Sequence, residues 1–464
     1  MSKNEQIEKI KFYADRISLN HTNSREALLF DDIKNFREFM MLINDNDRVV
    51  IVPMIHEYKL DELLLEIVRE YKDNSYNFLE EITNIFISLT SIEDMELLSE
   101  IASIGVIPIF EEFLSTKNKR VLENILWVFL NIVFDNYFYR NIYEEIGLLE
   151  KITSTCNNWN NRFGSDIGIN DAYCRLLQTY FAVSPFLGYD KMKPYLEIIM
   201  DMFVNINKTH ADYLEKDCLK FINNSIIFTE QEDINELATK VFWKNLLVKL
   251  VHNLAATDMD IVTYSIQILA NLACSDNPQQ FEVLINSPFF KFIDQLCKNN
   301  YSVLEKDLLI LIGNIMTYGD HYIIQLIDLK IIYILLEGFS RTIYNKDAMQ
   351  EYLRAFRNIF MNTYSMKLAQ YMFENKDIID LFIEKIDLSE SKNNLILICT
   401  ILKSIYVLAE NYRDENNSDA QPETNFVYDH ITQNDSLASK LEMIQQHSSQ
   451  EVYIEYANFI EFYF

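Results

Sequence analysis

The sequence predicts an all-α protein built from stacked helical repeats, and three observations predict it. The 464 residues include only 8 Gly and 7 Pro, too few for glycine-rich phosphate loops or for the many turns of a β protein. Hydrophobic residues make up 49% of the chain, which is enough for an extended core. A pattern of apolar helix, polar turn and further helices also returns along the chain.

The repeated unit is clearest in residues 77–116 and 120–155. In each, an apolar helix carries an Asn near its end, and a glycine (Gly105, then Gly147) breaks the helices that follow. The unit returns in the ranges 260–299, 303–338 and 347–386. Weaker copies place Ser184, Asn223 and Ser404 at the Asn position.

The spacing of these marker residues identifies the type of repeat. Successive markers are 39 to 53 residues apart, and a period in the forties with about three helices per unit is in the armadillo and HEAT range. Such units cannot bury their apolar faces alone, so stacking forms one core and leaves a concave groove. We expect a right-handed superhelix of about nine to ten repeats over residues 33–410 and 427–464. A short N-terminal segment (1–32) precedes the array, and a polar linker (411–426) separates the last repeat from the repeats before it.

Charge and motif content exclude several classes of function. The formal net charge is −28, which disfavours nucleic acid or an anionic membrane as the main partner and favours basic ligands. The six Cys are scattered without a CxxC pair, and the seven His form no HExxH motif, so we expect no metal, no cofactor and no catalytic centre. No apolar run is expected to span a bilayer.

Several stretches resemble the importin-α (karyopherin-α) family of nuclear import adaptors. They are TNIFIS and GVIPIFEEFLST within residues 83–116, LWVFLNIVFD and YRNIYEEIGLLE within the next unit, and the tail FVYDHITQNDSLASKLEMIQQHSSQEVYIEYANFIEFYF. The resemblance runs from about residue 33 to the end, and the tail is its most specific part.

The resemblance implies a groove that binds nuclear localisation signals through Trp–xxx–Asn pairs. Residues at i and i+4 share one helix face, so the amide can hold a peptide backbone while indole faces flank lysine or arginine side chains. Trp127 and Asn131 match the pair, and Asp135 matches a carboxylate that engages lysine. The implied major site comprises Asn84, Trp127, Asn131, Asp135, Tyr180, Ser184 and Asn223.

The implied minor site keeps the Asn residues but not the indoles. It comprises Gln267, Asn271, Asp307, Asn314, Glu351 and Asn358. The tryptophan positions that pair with Asn84, Asn271, Asn314 and Asn358 hold Glu80, Gln267, Ile310 and Arg354. Each lost indole could weaken cation binding by ~0.5–2 kcal/mol, so the sequence predicts weaker recognition of basic peptides or a preference for another motif.

The implied partners are basic cargo proteins, importin-β, and a CAS-type exportin with Ran at the last repeat, in a protein that shuttles between cytoplasm and nucleus. Residues 1–30 hold five Lys or Arg against four acids, so the basic importin-β-binding segment of the family is degenerate or absent. Two alternatives remain: an armadillo scaffold that binds other extended peptides, and an enzyme, for which no catalytic set is found.

Overall fold

A computed structural model gives the structure of the protein. It describes residues 3–72, 77–134, 136–163, 166–185, 187–206, 212–238, 240, 243–274, 282–285, 287–299, 304–341, 346–387, 390–415, 425–447 and 449–463. Every regular element within these ranges is a helix. The predicted all-α class is therefore confirmed.

The helices are short and follow one another closely. In chain order they are α1 (Lys3–Thr22), α2 (Glu26–Met41), α3 (Asp45–Glu57), α4 (Leu60–Glu70), α5 (Phe78–Thr90), α6 (Met95–Ile101), α7 (Ile107–Glu112), α8 (Lys119–Val133), α9 (Tyr137–Glu145), α10 (Leu148–Phe163), α11 (Ile167–Ala182), α12 (Tyr189–Asn205), α13 (Asp212–Ile226) and α14 (Gln231–Ala238). They continue with α15 (Trp243–Asn253), α16 (Met259–Leu272), α17 (Glu282–Ile285), α18 (Phe289–Asn299), α19 (Glu305–Met316), α20 (Asp320–Asp328), α21 (Ile331–Ser340), α22 (Lys346–Phe360), α23 (Met366–Glu374), α24 (Asp377–Glu384), α25 (Lys392–Glu415), α26 (Phe426–Thr432), α27 (Asp435–Met443) and α28 (Gln450–Tyr463). A π-helical turn, Ala102–Val106, joins α6 to α7.

Most of the helices recur in groups of three, although between α11 and α13 the structure describes only α12. Along two stretches of the chain, the last helix of one group packs against the last helix of the next. We call these last helices the ladder helices; in the described chain they are α2, α5, α8, α11, α13, α16, α19, α22, α25 and α28. Helices α2, α5, α8 and α11 pack in sequence, as do α16, α19, α22, α25 and α28. The chain divides into two compact units, Met1–Ile199 with Ile206–Phe221, and Met200–Asn205 with Ile222–Phe464.

The sharp turn between the first and second helices of a group uses a left-handed backbone conformation. Gly105 (φ 100°) and Gly147 (φ 63°) adopt it at the two breaks predicted from the sequence, and a residue without a Cβ adopts it at low cost. Lys59 (φ 52°) and Lys330 (φ 58°) adopt it at the equivalent turns before α4 and α21.

The N-terminal segment is part of the packed array. Helix α1 buries Ile10, Ala14 and Ile17 and packs against α2 and α3. The packed helices therefore begin at Lys3 rather than near residue 33, because the small apolar face of α1 is enough to cover α2. The predicted division at residue 32 falls inside α2.

The long helix α25 differs from the sequence-based expectation in two ways. It continues through Glu415, so the first residues of the segment predicted as a linker are helical, while residues 416–424 lie outside the described chain. Its stretch Lys392–Asp414 is also long and apolar enough, by length and composition, to cross a membrane. It packs against α22 and α28 and buries Ile398, Leu402 and Ile405, as a core helix does.

Candidate functional site

Trp127 and Asn131 lie together on the exposed side of ladder helix α8. Glu123, Trp127 and Asn131 are spaced four residues apart and are all half-buried, because one side of α8 faces solvent while Leu126 and Phe129 fill the core. We call the solvent-facing side of the ladder helices the ladder face. The third predicted residue of this repeat, Asp135, lies outside the described residues.

In the next repeat, the residues on the ladder face are not the ones predicted from the sequence. Tyr180 is 3% exposed and lines a cavity with Glu150 and Tyr195, and burial raises the pKa of its hydroxyl to about 12. Ser184 is exposed but follows the end of α11. These two residues do not lie on the ladder face. This weak repeat has no marker Asn from which its register could be predicted.

Asp171, Arg175 and Thr179 take the equivalent positions on α11. Each of the three lies 48 residues after its counterpart in the set Glu123, Trp127 and Asn131. Arg175 therefore stands at the tryptophan position of its repeat. A marker at residue 179 also makes the repeat spacing more even than the marker at 184 did, and this evenness is the sequence signal that could have found the register.

Arg175 connects three ladder helices. Its guanidinium carbon lies 5.7 Å from the centre of the Trp127 ring, within cation–π range. Its Nε lies 2.9 Å from an Asp217 carboxylate oxygen and 3.2 Å from one of Asp171. Nearby, Gln178 Nε2 donates to the Asp217 backbone oxygen at 2.6 Å. We call Glu123, Trp127, Asp171, Arg175 and Asp217 the Trp127 cluster.

Negative charge is in excess around the Trp127 cluster. Burial, followed by the hydrogen bond with Asp171, raises the pKa of Asp217 to about 6. Burial also raises the pKa of Glu123. Lys119 is paired with Asp166 at 2.9 Å and Arg120 with Glu80 at 3.2 Å. Five carboxylates therefore lie near three cations: Glu80, Glu123, Asp166, Asp171 and Asp217 against Lys119, Arg120 and Arg175. Carboxylates crowded in this way favour the approach of another cation.

The ladder asparagines bond mainly within the array. Asn131 Nδ2 donates to Thr90 Oγ1 (3.2 Å), Asn314 Nδ2 to the Ala270 oxygen (3.0 Å), and Asn358 Nδ2 to the Gly313 oxygen (3.2 Å). Asn84 Nδ2 donates to the Glu80 oxygen of its own helix at 3.0 Å. In these bonds the amide nitrogen is the donor, and the amide oxygen can accept from a peptide N–H.

Polar side chains bridge neighbouring helices at two of the positions that pair with the ladder asparagines, Glu80 and Gln267; at Gln267 the resemblance implies an arginine rather than an indole. Glu80 pairs with Arg120 at 3.2 Å. In the second unit, Gln267 accepts from Asn223 Nδ2 at 2.9 Å and donates to Asp307 at 2.7 Å. Asn223 is only 6% exposed, which leaves little of it on the ladder face.

The remaining residues of the implied minor site lie on α16 and α22. Glu351 is largely buried and pairs with Arg354 at 3.0 Å, while Asn271 is half-buried. The two carboxylates of this site, Asp307 and Glu351, are thus engaged within the protein. Within the described ranges, no group of three His, Cys, Asp or Glu side chains could hold a metal ion.

Comparison with known proteins supports the fold. No protein-family model and no curated protein matches the sequence. An engineered protein with a crystal structure is similar over 97% of this chain and 98% of its own, with 13% identity and a TM-score of 0.66. A chain from a structure of the phosphorylation-controlled interaction between cadherin and beta-catenin is similar over 99% and 98%, with 7% identity and a TM-score of 0.59. A designed armadillo repeat protein matches 56% of the chain with 17% identity, but its TM-score is only 0.43.

The two similarities that span the whole chain and the three-helix units define the class of protein. The chain has the armadillo-repeat fold. At sequence identities of 7% and 13%, the similarity concerns the fold alone.

Proposed function

We propose that the protein is an adaptor that binds extended basic peptides on the ladder face of its first unit. The observation that carries this proposal is the Trp127 cluster together with Asn131, which lies one turn after Trp127 on α8. There an indole and an amide lie beside an excess of carboxylates. An indole face and adjacent carboxylates attract a lysine or arginine side chain. The amide oxygen of Asn131 would accept a peptide N–H.

As the more specific form of this proposal, the basic peptides are nuclear localisation signals and the protein is a nuclear import adaptor. The resemblance of residues 77–155 and of the tail supports it, as does the net charge of −28. Binding of a CAS-type exportin with Ran would then involve α26 to α28, and the protein would shuttle between cytoplasm and nucleus. Importin-β would have to recognise exposed faces of α1 and α2, since both helices pack into the array.

The polar contacts made at the positions that pair with the ladder asparagines favour a second candidate, an armadillo scaffold for extended peptides that are not import signals. Glu80, Gln267 and Arg354 stand at these positions, and each is bonded to a polar or charged neighbour. Such positions offer hydrogen bonds instead of aromatic slots. A peptide bound there would be recognised by its backbone and polar side chains.

Fluorescence anisotropy with a labelled lysine-rich signal peptide tests the proposal. We expect Trp127→Ala to weaken binding, relative to the wild-type protein, by about 2- to 30-fold, the range of a lost cation–π contact. Trp127→Phe keeps an aromatic face and should lose less. A labelled peptide with glutamine in place of each lysine is the control for charge.

The outcomes separate the two candidates. Binding that needs both Trp127 and the lysines supports a basic-peptide adaptor. Equal binding of the lysine and glutamine peptides would favour the general scaffold. No binding of the lysine peptide to a folded, helical protein would contradict the basic-peptide proposal.

A further inference from the structure

The face of Trp127 that a ligand cation would use is already in contact with a cation of the protein itself. Arg175 lies 5.7 Å from the indole centre and reaches it from the neighbouring ladder helix α11. The Arg175 side chain is 39% exposed, so solvent reaches it, and a peptide on the ladder face would meet it directly.

The same guanidinium is also paired with two carboxylates of the cluster. Its Nε lies within 3.2 Å of both Asp171 and Asp217, whose side chains are only 20% and 13% exposed. A lysine or arginine from a ligand would be attracted to these two carboxylates, because they combine negative charge with partial burial. Arg175 thus makes, within the protein, the indole and carboxylate contacts that the proposed function assigns to a ligand.

We infer that Arg175 is an internal competitor that sets the affinity and selectivity of the Trp127 site for basic peptides. This inference rests on the proposed function. A ligand cation must displace the Arg175 guanidinium from Trp127 and from the carboxylate pair before it gains their contacts. A single weakly placed cation would fail to do so, whereas a peptide with several adjacent cations gains enough contacts from the surrounding carboxylates.

The position of Arg175 in its repeat makes this role possible. Trp127 and Arg175 hold equivalent positions on α8 and α11, which pack side by side. The pair Asp171 and Arg175 is spaced i, i+4, so the helix itself holds the ion pair in place. Asp217 on α13 completes the arrangement from the far side. Displacement requires only rotamer changes of one long, partly exposed side chain.

The test measures how the affinity for a lysine-rich peptide depends on Arg175, with the full chain in each case. We expect Arg175→Ala to bind the labelled peptide about 3- to 30-fold more tightly, since the competing contacts are worth that much. Arg341→Ala is the matched control. It removes one positive charge next to the end of α21, outside the ladder helices, where Arg341 pairs with Glu337 of that helix.

A double variant locates the effect. In a Trp127→Ala background the gain from Arg175→Ala should shrink, because the two residues act on one subsite. Arg175→Gln, which keeps most of the side-chain volume, replaces Arg175→Ala if circular dichroism shows that the alanine variant does not fold. A peptide with one isolated lysine should gain more from Arg175→Ala than a peptide with a lysine cluster.

The results distinguish failure of this inference from failure of the proposed function. Unchanged or weaker binding by Arg175→Ala and Arg175→Gln, with wild-type binding that depends on Trp127, overturns the competitor role and leaves the proposed function standing. An equal gain in Arg341→Ala also overturns it, because the effect would then be one of net charge. No binding by wild type and variants contradicts both.

Discussion

At the scale of the residue, Asp217 shows how the Trp127 cluster creates unfavourable charge. Its carboxylate is largely buried, lies beside Asp171, and is compensated by the single guanidinium of Arg175. The raised pKa, about 6 against an ordinary 3.8, means that between these two pH values the folded protein holds a proton which the unfolded chain has released. A binding protein can tolerate this cost if the same charge attracts its ligand.

This pKa predicts how the stability of the protein depends on pH. The folded pKa lies above the unfolded one, so the contribution of Asp217 is most favourable below pH 3.8 and is lost as pH rises through about 6. We expect the free energy of unfolding of Asp217→Asn, minus that of wild type, to increase by about 1–3 kcal/mol between acidic and neutral pH. Urea unfolding followed by circular dichroism measures it.

The control for this prediction is Asp328→Asn. Asp328 is more than half exposed on α20 and pairs with Lys367 at 3.5 Å, so its replacement removes a carboxylate without touching the cluster. A difference between Asp217→Asn and wild type that stays constant or decreases with rising pH would contradict the account of the cluster.

At the scale of the element, the turn between the first and second helices of a repeat requires a left-handed residue. Two of these turns use glycine and two use lysine. In lysine this conformation is unfavourable, because it brings the Cβ atom close to the next carbonyl oxygen. The fold at these turns is therefore set by stacking of the helices, which overrides the preference of the local residue.

Lys330→Gly should stabilise the protein. Lys330 is exposed and has φ 58° and ψ 21°, so glycine relieves the backbone without loss of packing, and we expect a gain of about 0.5–1 kcal/mol in the free energy of unfolding. Chemical denaturation of the two proteins in parallel provides the measurement.

Two further variants test the same turn chemistry. Lys330→Ala keeps a Cβ and should give no such gain, while Gly147→Ala should lose about 1 kcal/mol. The space around Gly147 is open, since an added Cβ would approach Glu150 only to 3.7 Å, and the loss would therefore come from the backbone. If Lys330→Ala stabilised as much as Lys330→Gly, the backbone explanation would fail.

At the scale of the whole molecule, the net charge of −28 acts on folding and on binding in opposite directions. Like charges repel one another in the compact state, and the same field attracts a basic ligand. Salt screens both effects, because the Debye length falls to about 8 Å at physiological ionic strength.

We therefore predict that added sodium chloride raises the thermal unfolding midpoint and weakens binding of a lysine-rich peptide. Circular dichroism gives the midpoint and fluorescence anisotropy the affinity, in the same low-salt and physiological-salt buffers. The glutamine-substituted peptide is the control, since its binding should hardly respond to salt. Binding of the lysine peptide that is unchanged or tighter in salt would show that charge does not drive recognition.

The sequence alone determined the helical class, the repeat period, the breaks at Gly105 and Gly147, and the placement of Trp127 and Asn131 one turn apart on one side of a helix. These features depend on local periodicity and on residue types with strong conformational preferences, which can be read within one repeat. The low glycine and proline content is by itself enough to indicate the helical class.

Only the tertiary structure decided which residues meet across repeats. It replaced Tyr180 and Ser184 with Arg175 and Thr179 on the ladder face, and it brought Arg175 against Trp127. Contacts between residues more than forty positions apart depend on how one ladder helix is aligned against the next. That alignment follows from the packing of whole apolar faces, so a repeat without a marker asparagine does not reveal it in its own sequence.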